Sequence, residues 1–350
     1  MASRIKGPAI FLAQFLRDEP PYNSIQSIGE WVAGLGYKGV QIPAWDRRVI
    51  DLDQAAQSRA YCDDYQAKLQ AMGLAVTELA GYLQGQVLAV HPAYEVMFQG
   101  FHPPGLTGQA RTDWAAAELR KCLVASAHMG LHNLPVLSGA FAWHLMYPWP
   151  QRPQGIIREA FAELAKRWRP LLDLAVDMGL VFGYELHPGS DVYDGATFEM
   201  FLDELHDHPA ACLNYDPSHF LLQQLDYPEF IAIYGRRIKG FHVKDAEFRS
   251  SGRVGVYGGY QPWSQRAGRF RSPGDGQVDF PRVFTLLTEA GFDGWAVLEW
   301  ECCVKSPEQG AAEGAAFIAR HLIETTDVAF DDFAGGASDA ALNRRILGLE

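Results

Sequence analysis

The feature that most constrains the fold of this chain is a short glycine signal that recurs along it. In each case a glycine follows a helical pattern, and a hydrophobic residue after it leads into a β-type run. Glycine at such a place supplies the left-handed backbone conformation that commonly ends a helix. Helix, glycine and strand in this repeated order predict successive βα units and a parallel sheet. The glycines are Gly36, Gly73, Gly130, Gly179 and Gly291.

Hydrophobic periodicity between these glycines predicts an α/β fold in which eight strands alternate with eight helices. Such a chain forms a (β/α)8 TIM barrel, expected as a single domain over residues 1–325 with a C-terminal tail over 326–350. A doubly wound open sheet is the alternative, but it would not bring the ends of strands five to eight together so readily. The predicted strands lie near 7–15, 39–44, 74–80, 133–138, 181–187, 211–216, 238–243 and 295–300. The predicted helices lie near 24–35, 53–72, 110–129, 156–178, 196–206, 227–235, 281–290 and 307–325.

Three of the predicted loops are long and rich in aromatic residues. They span residues 81–109, 140–154 and 246–277, after the third, fourth and seventh strands. All three leave the C-terminal face of the barrel, where barrels of this kind build active sites. We therefore expect these loops to form the walls and lids of a pocket. A contact between subunits of a homo-oligomer is an equally open interpretation of their aromatic residues.

The fifth, sixth, seventh and eighth predicted strands each end in a residue type that binds metal ions. A single carboxylate at a strand end is more often a surface residue or a helix cap, but parallel strands of a barrel bring all four ends to one face. Three carboxylates with one imidazole suit Mn²⁺, Mg²⁺ or Co²⁺ better than zinc in a thiolate site. The sequence therefore predicts one bound divalent ion, with Mn²⁺ favoured. The four residues are Glu185, Asp216, His242 and Glu299.

The segments around these residues also resemble a known family. In order and spacing they are similar to the xylose isomerase-like TIM-barrel superfamily, the sugar phosphate isomerase/epimerase group that includes ketose 3-epimerases and inosose dehydratases. The resemblance covers most of the chain and is strongest from about residue 180 to 320. It implies that the four residues named above bind one ion, and that Glu185 and Glu299 are catalytic and flank the substrate. The matching stretches are Glu185-Leu186-His187, Asp216-Pro217-Ser218-His219, His242-Val243-Lys244-Asp245, residues 271–280, and Glu299.

The resemblance implies a metal-dependent isomerase or epimerase of a sugar or keto-sugar. The ion would polarise a carbonyl group, and a carboxylate would take a proton from the adjacent carbon to give an enediolate. A non-phosphorylated substrate is favoured, because the sequence has no glycine-rich phosphate loop and no evident cluster of lysines and arginines.

Four further residues are predicted to bind the substrate. His187 and His219 lie two or three residues beyond a metal ligand, so that contact with a substrate hydroxyl and a hydrogen bond to a ligand carboxylate are both open. The resemblance makes Arg271 a contact to a substrate oxygen. Glu78 ends the third predicted strand and is expected to reach the pocket.

Three charged residues close in sequence to the predicted ligands are expected to have structural roles. Lys244 is expected to pair with Asp245 at the strand end. Glu301 shares its face of the strand with Glu299 and is expected to lie outside the ligand set.

Other functions remain open at this point. A lyase that acts on 3-keto sugars or glycosides, like inosose dehydratases or C-glycoside deglycosidases, would use the same metal and base, and the long segment 255–263 leaves room for a substrate with an aglycone. A non-catalytic sugar-binding barrel would not need a full ligand set with flanking bases. The nuclease branch of the family is disfavoured, because Arg269 and Arg271 stand where its additional histidines would be expected.

Composition excludes several partners. The formal net charge of −12 disfavours nucleic acid, which needs a basic surface. The chain has neither a secretory signal pattern nor the roughly 20 consecutive apolar residues of a membrane span, so we expect no membrane partner. The 5 cysteines are odd in number and have no CxxC spacing, which predicts reduced thiols and a cytoplasmic location.

Overall fold

The structure is a computed structural model that describes residues 5–326, 330–331, 333, 336 and 339–349. Eight parallel strands form one sheet with helices between them, which confirms the predicted (β/α)8 barrel. The barrel strands are β1 (Lys6–Phe11), β2 (Gly39–Pro43), β3 (Ala75–Ala80), β4 (Asn133–Val136), β5 (Val181–Glu185), β6 (Ala211–Tyr215), β7 (Ile238–Val243) and β10 (Trp295–Leu298). A separate antiparallel hairpin consists of β8 (Asp245–Phe248) and β9 (Gly268–Arg271).

The helices fill the connections between strands. Those in the barrel are α1 (Ile25–Gly34), α2 (Leu52–Gln57), α3 (Arg59–Ala71), α4 (Tyr82–Leu88), α5 (Gly108–His128), α6 (Ile156–Asp177), α7 (Gly195–Leu205), α8 (Pro217–Gln223), α9 (Tyr227–Tyr234), α10 (Phe280–Glu289) and α11 (Pro307–His321). Within the described residues, none of the helices combines the length and the apolar character needed to span a membrane.

The glycine signals have the predicted conformation. Their φ angles are 97° at Gly36, 78° at Gly73, 68° at Gly130, 71° at Gly179 and 79° at Gly291. These left-handed angles are strained for other residues, and they end the helices at those points.

Hydrogen bonding runs through the sheet in the order β3-β2-β1-β10-β7-β6-β5-β4. The two end strands of this order meet where the backbone N–H of Gly81 donates to the carbonyl oxygen of Pro135 at 2.8 Å. This contact brings β3 beside β4 and nearly closes the ring of strands.

The outer faces of the strands pack on the helices in one large hydrophobic core, whereas the barrel interior is partly polar. Gly240 shows how the interior is filled: a Cβ atom there would lie 2.0 Å from Oδ1 of Asn214. Glycine on β7 therefore makes room for a polar side chain from β6, close to the candidate site.

Several predicted boundaries were wrong for local reasons. The first strand ends at Phe11, and Ala13–Phe15 form a 3-10 turn instead of continuing it. The predicted helix 53–72 is two helices, because Ser58 is extended (φ −137°, ψ 112°) and its side chain accepts a hydrogen bond from Tyr61 N at 3.2 Å. Serine prefers this N-cap role to the interior of a helix.

In the described part of the tail, α12 (Ala340–Ile346) forms one short helix. Asp339 caps it by accepting a hydrogen bond from Leu342 N at 2.7 Å. The division of the chain at residue 325 stays a prediction.

Candidate metal centre and active site

The four predicted ligands come together at the C-terminal end of the barrel. Glu185, Asp216, His242 and Glu299 are all buried, and one ligand atom from each lies within 4.8 Å of those of the others. Glu185 is the last residue of β5, His242 lies near the end of β7, and the other two directly follow β6 and β10. Three carboxylates and one imidazole at this separation fit a divalent ion with oxygen-rich coordination.

Asp216 is oriented by the helix that follows it. Its Oδ1 atom caps α8 by accepting a hydrogen bond from Ser218 N at 2.8 Å. Its Oδ2 atom is buried and accepts no hydrogen bond from the described residues. Two basic groups lie nearby, the Lys244 ammonium at 3.7 Å and His219 Nε2 at 3.3 Å, an imidazole whose pKa burial lowers to about 3; neither is in hydrogen-bonding geometry. A buried carboxylate oxygen without a donor is costly unless it binds a cation, so it suits a metal ligand.

Glu185 is held by neutral donors. The Tyr82 hydroxyl and the Asn214 amide both donate to its Oε2 atom, each at 2.9 Å. Its Oε1 atom lies 3.3 Å from His219 Nε2. The carboxylate is therefore locked in one orientation inside the barrel.

His242 presents one ring nitrogen to the carboxylates and the other to an amide. Its Nδ1 atom lies 2.8 Å from Glu299 Oε2 and 3.1 Å from Glu185 Oε2. Its Nε2 atom lies 3.1 Å from Gln41 Oε1, and the Gln41 amide donates to Glu78 Oε2 at 3.3 Å. An imidazole whose second nitrogen donates to a fixed acceptor is the usual arrangement of a metal-binding histidine. Glu78 therefore lies two hydrogen bonds away from the cluster, and burial raises its pKa.

The expected pairing of Lys244 with Asp245 was wrong. The Lys244 ammonium is buried, 3.2 Å from Glu299 Oε2 and 3.4 Å from Glu301 Oε2. The Asp245 carboxylate instead accepts four backbone N–H groups, one from the next residue and three from residues 274–278. Successive residues of an extended chain point to opposite sides, so Lys244 shares the inward side with His242 and Asp245 does not.

The charges in the cluster shift the pKa values of its members strongly. Burial by itself would lower the pKa of His242, but Glu299 and Glu185 raise it to about 10. Burial would raise the pKa of Glu299, but Lys244 and His242 lower it to about 2. Burial raises the pKa of Asp216. Without a metal the site therefore holds protons close to its carboxylates, where a divalent cation would replace them.

A cavity of about 360 Å³ opens over these groups. Glu185 and Glu299 both line it, so each carboxylate can face a bound molecule as well as an ion. The loop after β3 contributes to its wall, as predicted for residues 81–109. The aromatic residues of the wall are Phe11, Trp45, Tyr82, Phe98 and Phe101.

The structure gives the predicted substrate residues different surroundings. His187 lines the cavity, and its ring centroid is 4.3 Å from that of His219. His219 contacts the ligand carboxylates, which favours the interpretation that it holds them in place. Arg271 Nη1 lies 3.0 Å from Glu247 Oε1, and Arg271 is not among the described residues that line this cavity. The substrate-binding roles of all four predicted residues, including Glu78, stay predictions.

Sequence reasoning missed several residues that contact the ligands. Gln14 donates to Glu299 Oε1 at 3.0 Å, and Gln41, Tyr82 and Lys244 make the contacts described above. Lys244 could have been found, because it lies two residues beyond His242 on the same side of the chain. Tyr82 carries no such signal, since it belongs to α4, beyond the end of β3.

The fold also forms an arginine cluster that the sequence pattern does not predict. Four arginines line a separate cavity of about 430 Å³ at the β8–β9 hairpin and its loop. They are spread along the chain and form no run, so only the fold brings them together. This cavity shares no lining residue with the cavity over the metal ligands. The arginines are Arg249, Arg253, Arg266 and Arg269.

Fold and site together define a (β/α)8 barrel with a candidate divalent-metal centre at its C-terminal face. Residues 30–321 match the model of the Xylose isomerase-like TIM barrel family, and the chain belongs to that family.

Individual relatives match only part of this chain, and at low sequence identity. The inosose dehydratase of Geobacillus thermodenitrificans (strain NG80-2) is 30% identical over 129 residues, which is 37% of this chain and 43% of that protein. The chain therefore spans less than half the length of this curated relative.

Two solved structures share the fold. The 3-keto-D-glucoside 4-epimerase from E. coli has a TM-score of 0.59 at 16% identity, covering 89% of this chain and 98% of that one. The probable 3-DHS dehydratase from Bacillus anthracis has a TM-score of 0.60 at 13% identity, covering 90% and 99%. Likeness at these identities concerns the fold alone.

Proposed function

We propose that this protein is a divalent-metal-dependent isomerase or epimerase of a non-phosphorylated sugar or keto-sugar. The observation that carries the proposal is that Glu185 and Glu299 belong to the four-residue cluster and also line the cavity. A divalent ion in the cluster, with Mn²⁺ favoured over Mg²⁺ or Co²⁺, would polarise a carbonyl and stabilise the enediolate left when the adjacent carbon loses its proton.

The two carboxylates suit the role of bases that take and return this proton. Tyr82 and Asn214 orient Glu185, while Gln14 and Lys244 orient Glu299. Burial would raise the pKa of each carboxylate, but His219 and His242 lower that of Glu185, and Lys244 and His242 lower that of Glu299, so either one can be the ionised base that takes the proton. Epimerisation needs a carboxylate that takes the proton on one face of the reacting carbon and a protonated acid that returns one on the other face, and Glu185 and Glu299 are our candidates for these two roles.

The remaining predicted residues have supporting parts in this proposal. His187, at the cavity wall, would donate to a substrate hydroxyl. His219 would hold the ligand carboxylates, and Glu78 would hold Gln41 against His242. For Arg271 the contact to substrate oxygen rests on the family resemblance.

β-Elimination is the second candidate. It begins with the same proton abstraction, and a substituent on the next carbon then leaves. Lys244 favours it, because its buried ammonium beside Glu299 and Glu301 lines the cavity and can donate a proton to a departing oxygen. The dehydratase names of the relatives above support the same candidate.

Incubation in D2O separates these functions. Metal-loaded protein would be given a panel of ketoses, inososes and 3-keto glucosides, and the products followed by NMR. An isomerase or epimerase incorporates deuterium next to the carbonyl and forms a new sugar. A lyase releases water or an alcohol and forms an unsaturated ketone, and a binding protein does neither.

Variants test the assignment of the bases. Glu185→Gln and Glu299→Gln should each abolish or strongly reduce deuterium incorporation, with bound metal measured on the same samples. Glu289→Gln, on the exposed side of α10, is the matched control and should exchange at the normal rate. Near-normal turnover in both active-site variants with metal bound would exclude proton abstraction by this pair.

A further inference from the structure

A second cavity adjoins the one over the metal ligands. It has a volume of about 410 Å³, and Gln14 and Glu301 line both cavities, so the two meet at these side chains. The other residues that line the second cavity are Trp263, Phe270, Trp300, Cys302 and Cys303.

Phe270 connects the two cavities physically. Lys244 Nζ lies 4.5 Å from its ring centroid, and the ring of His219 lies 5.4 Å away. The indole of Trp263 lies 4.8 Å from the same ring. A molecule that extends from the metal centre past Gln14 and Glu301 therefore enters a space walled by aromatic side chains.

We infer that this second cavity binds an aromatic ring attached to the sugar, so that the natural substrate is an aryl glycoside of a keto-sugar rather than a free monosaccharide. The inference rests on the proposed function, since it places the keto-sugar ring over the metal ligands. The volume of the second cavity is ample for a ring, because a cavity of roughly 150 Å³ already holds a benzene molecule. Aromatic walls also favour a planar ring through edge and offset contacts.

A second sugar ring fits this cavity less well. Its hydroxyl groups would need hydrogen-bond partners, and two polar groups of the wall, those of Trp300 and Cys302, are already engaged. Trp300 Nε1 donates to Ser272 Oγ at 2.8 Å, and Cys302 Sγ accepts two backbone N–H groups at 3.4 and 3.3 Å.

The polar groups that are left lie where the two cavities meet. They include the Gln14 Oε1 atom, which is buried and has no donor among the described residues, and the Glu301 carboxylate, whose Oε2 atom also lies 3.4 Å from Lys244 Nζ. Both accept hydrogen bonds, so they suit the hydroxyl groups of a glycoside at the junction.

Binding of three simple glycosides tests the inference. Phenyl β-D-glucopyranoside, methyl β-D-glucopyranoside and cellobiose would be titrated into metal-loaded protein by calorimetry. We expect the phenyl glycoside to bind about tenfold more tightly than the methyl glycoside, which corresponds to the contacts of one buried ring. Trp263→Ala should remove most of this difference and leave methyl glucoside binding unchanged. Trp149→Ala, an exposed tryptophan that lines neither cavity, is the matched control.

A second measurement uses the unmodified protein. Cys302 and Cys303 are partly exposed in the cavity, while Cys62, Cys122 and Cys212 are buried. Phenyl glucoside should therefore slow iodoacetamide labelling of the first pair several-fold, and methyl glucoside should not.

The outcomes separate this inference from the proposed function. Equal affinity for phenyl and methyl glucoside, or tighter binding of cellobiose, would overturn the aromatic subsite even if ketoses exchange protons in D2O. A phenyl preference that depends on Trp263 would support the subsite even if that exchange fails.

Discussion

Binding of a divalent ion should release protons from the metal centre, because His242 holds one in the metal-free protein. Burial by itself would lower the pKa of this imidazole, but the carboxylates of Glu299 and Glu185 raise it to about 10. At pH 7 the ring is then protonated and paired with both carboxylates. A metal ligand must be neutral imidazole, so the ion has to displace that proton.

The extent to which this proton weakens ion binding follows from the difference between pH 7 and the pKa of His242. Protonation of His242 should weaken ion binding at pH 7 about a thousandfold relative to the fully deprotonated ring, or roughly 4 kcal/mol. Burial also raises the pKa of Asp216, which adds part of a second proton. We therefore expect about one to two protons released per ion at pH 7. The apparent affinity should rise about tenfold or more for each pH unit between 6 and 8.

Calorimetry measures this number directly. Mn²⁺ would be titrated into chelator-treated protein in two buffers that differ in ionisation enthalpy, and the difference in heat gives the protons released. His187→Ala is the control, because His187 lines the cavity outside the four-residue cluster and the count should stay the same. No net proton release at pH 7, or an affinity that is flat between pH 6 and 8, would refute this account of the charges around His242.

Three further substitutions test other contacts. Gly310→Ala should lower the free energy of unfolding in urea by about 1–3 kcal/mol, because its Cβ atom would lie 1.7 Å from Trp300 Nε1. Gly34→Ala is the control: a Cβ atom there meets nothing within 4 Å, and the free energy of unfolding should change by less than about 1 kcal/mol. Equal effects of the two changes would contradict this packing. Asp245→Ala should lower the free energy of unfolding by about 3 kcal/mol in the same assay, since the change leaves four backbone N–H groups without their acceptor. An unchanged free energy of unfolding would mean that water replaces the carboxylate. Tyr82→Phe should lower turnover about tenfold with bound metal unchanged, because a ligand carboxylate loses a donor; metal loss instead would make Tyr82 a residue of metal binding.

The barrel could be predicted from sequence because its signals are local. A glycine such as Gly179 ends a helix through its own backbone angle, and the strand that follows it is marked by its own hydrophobic run. The four residues of the candidate metal centre could be predicted for a similar reason. Parallel strands share one end, so strand-end residues such as Glu185 and His242 had to converge once the fold was known.

The boundaries of helices and strands depended on local hydrogen bonds, such as helix caps, which the hydrophobic pattern of the sequence does not show. Ser58 divides a predicted helix because its side chain caps the next one, although the hydrophobic pattern runs through it. The hairpin of β8 and β9 inside the long loop also carried no signal strong enough to predict.

Only the tertiary structure decided what surrounds the ligands. Tyr82 reaches Glu185 across 103 positions of sequence, and Gln14 reaches Glu299 across 285. Such contacts depend on how loops from distant strands fold over the barrel mouth, and no local pattern encodes that. The sequence by itself therefore determined a (β/α)8 barrel and which four residues meet at its end. Tertiary packing decided that a buried Lys244 balances their charge and that a second, aromatic cavity opens beside them, because both arise from side chains that are neighbours only in space.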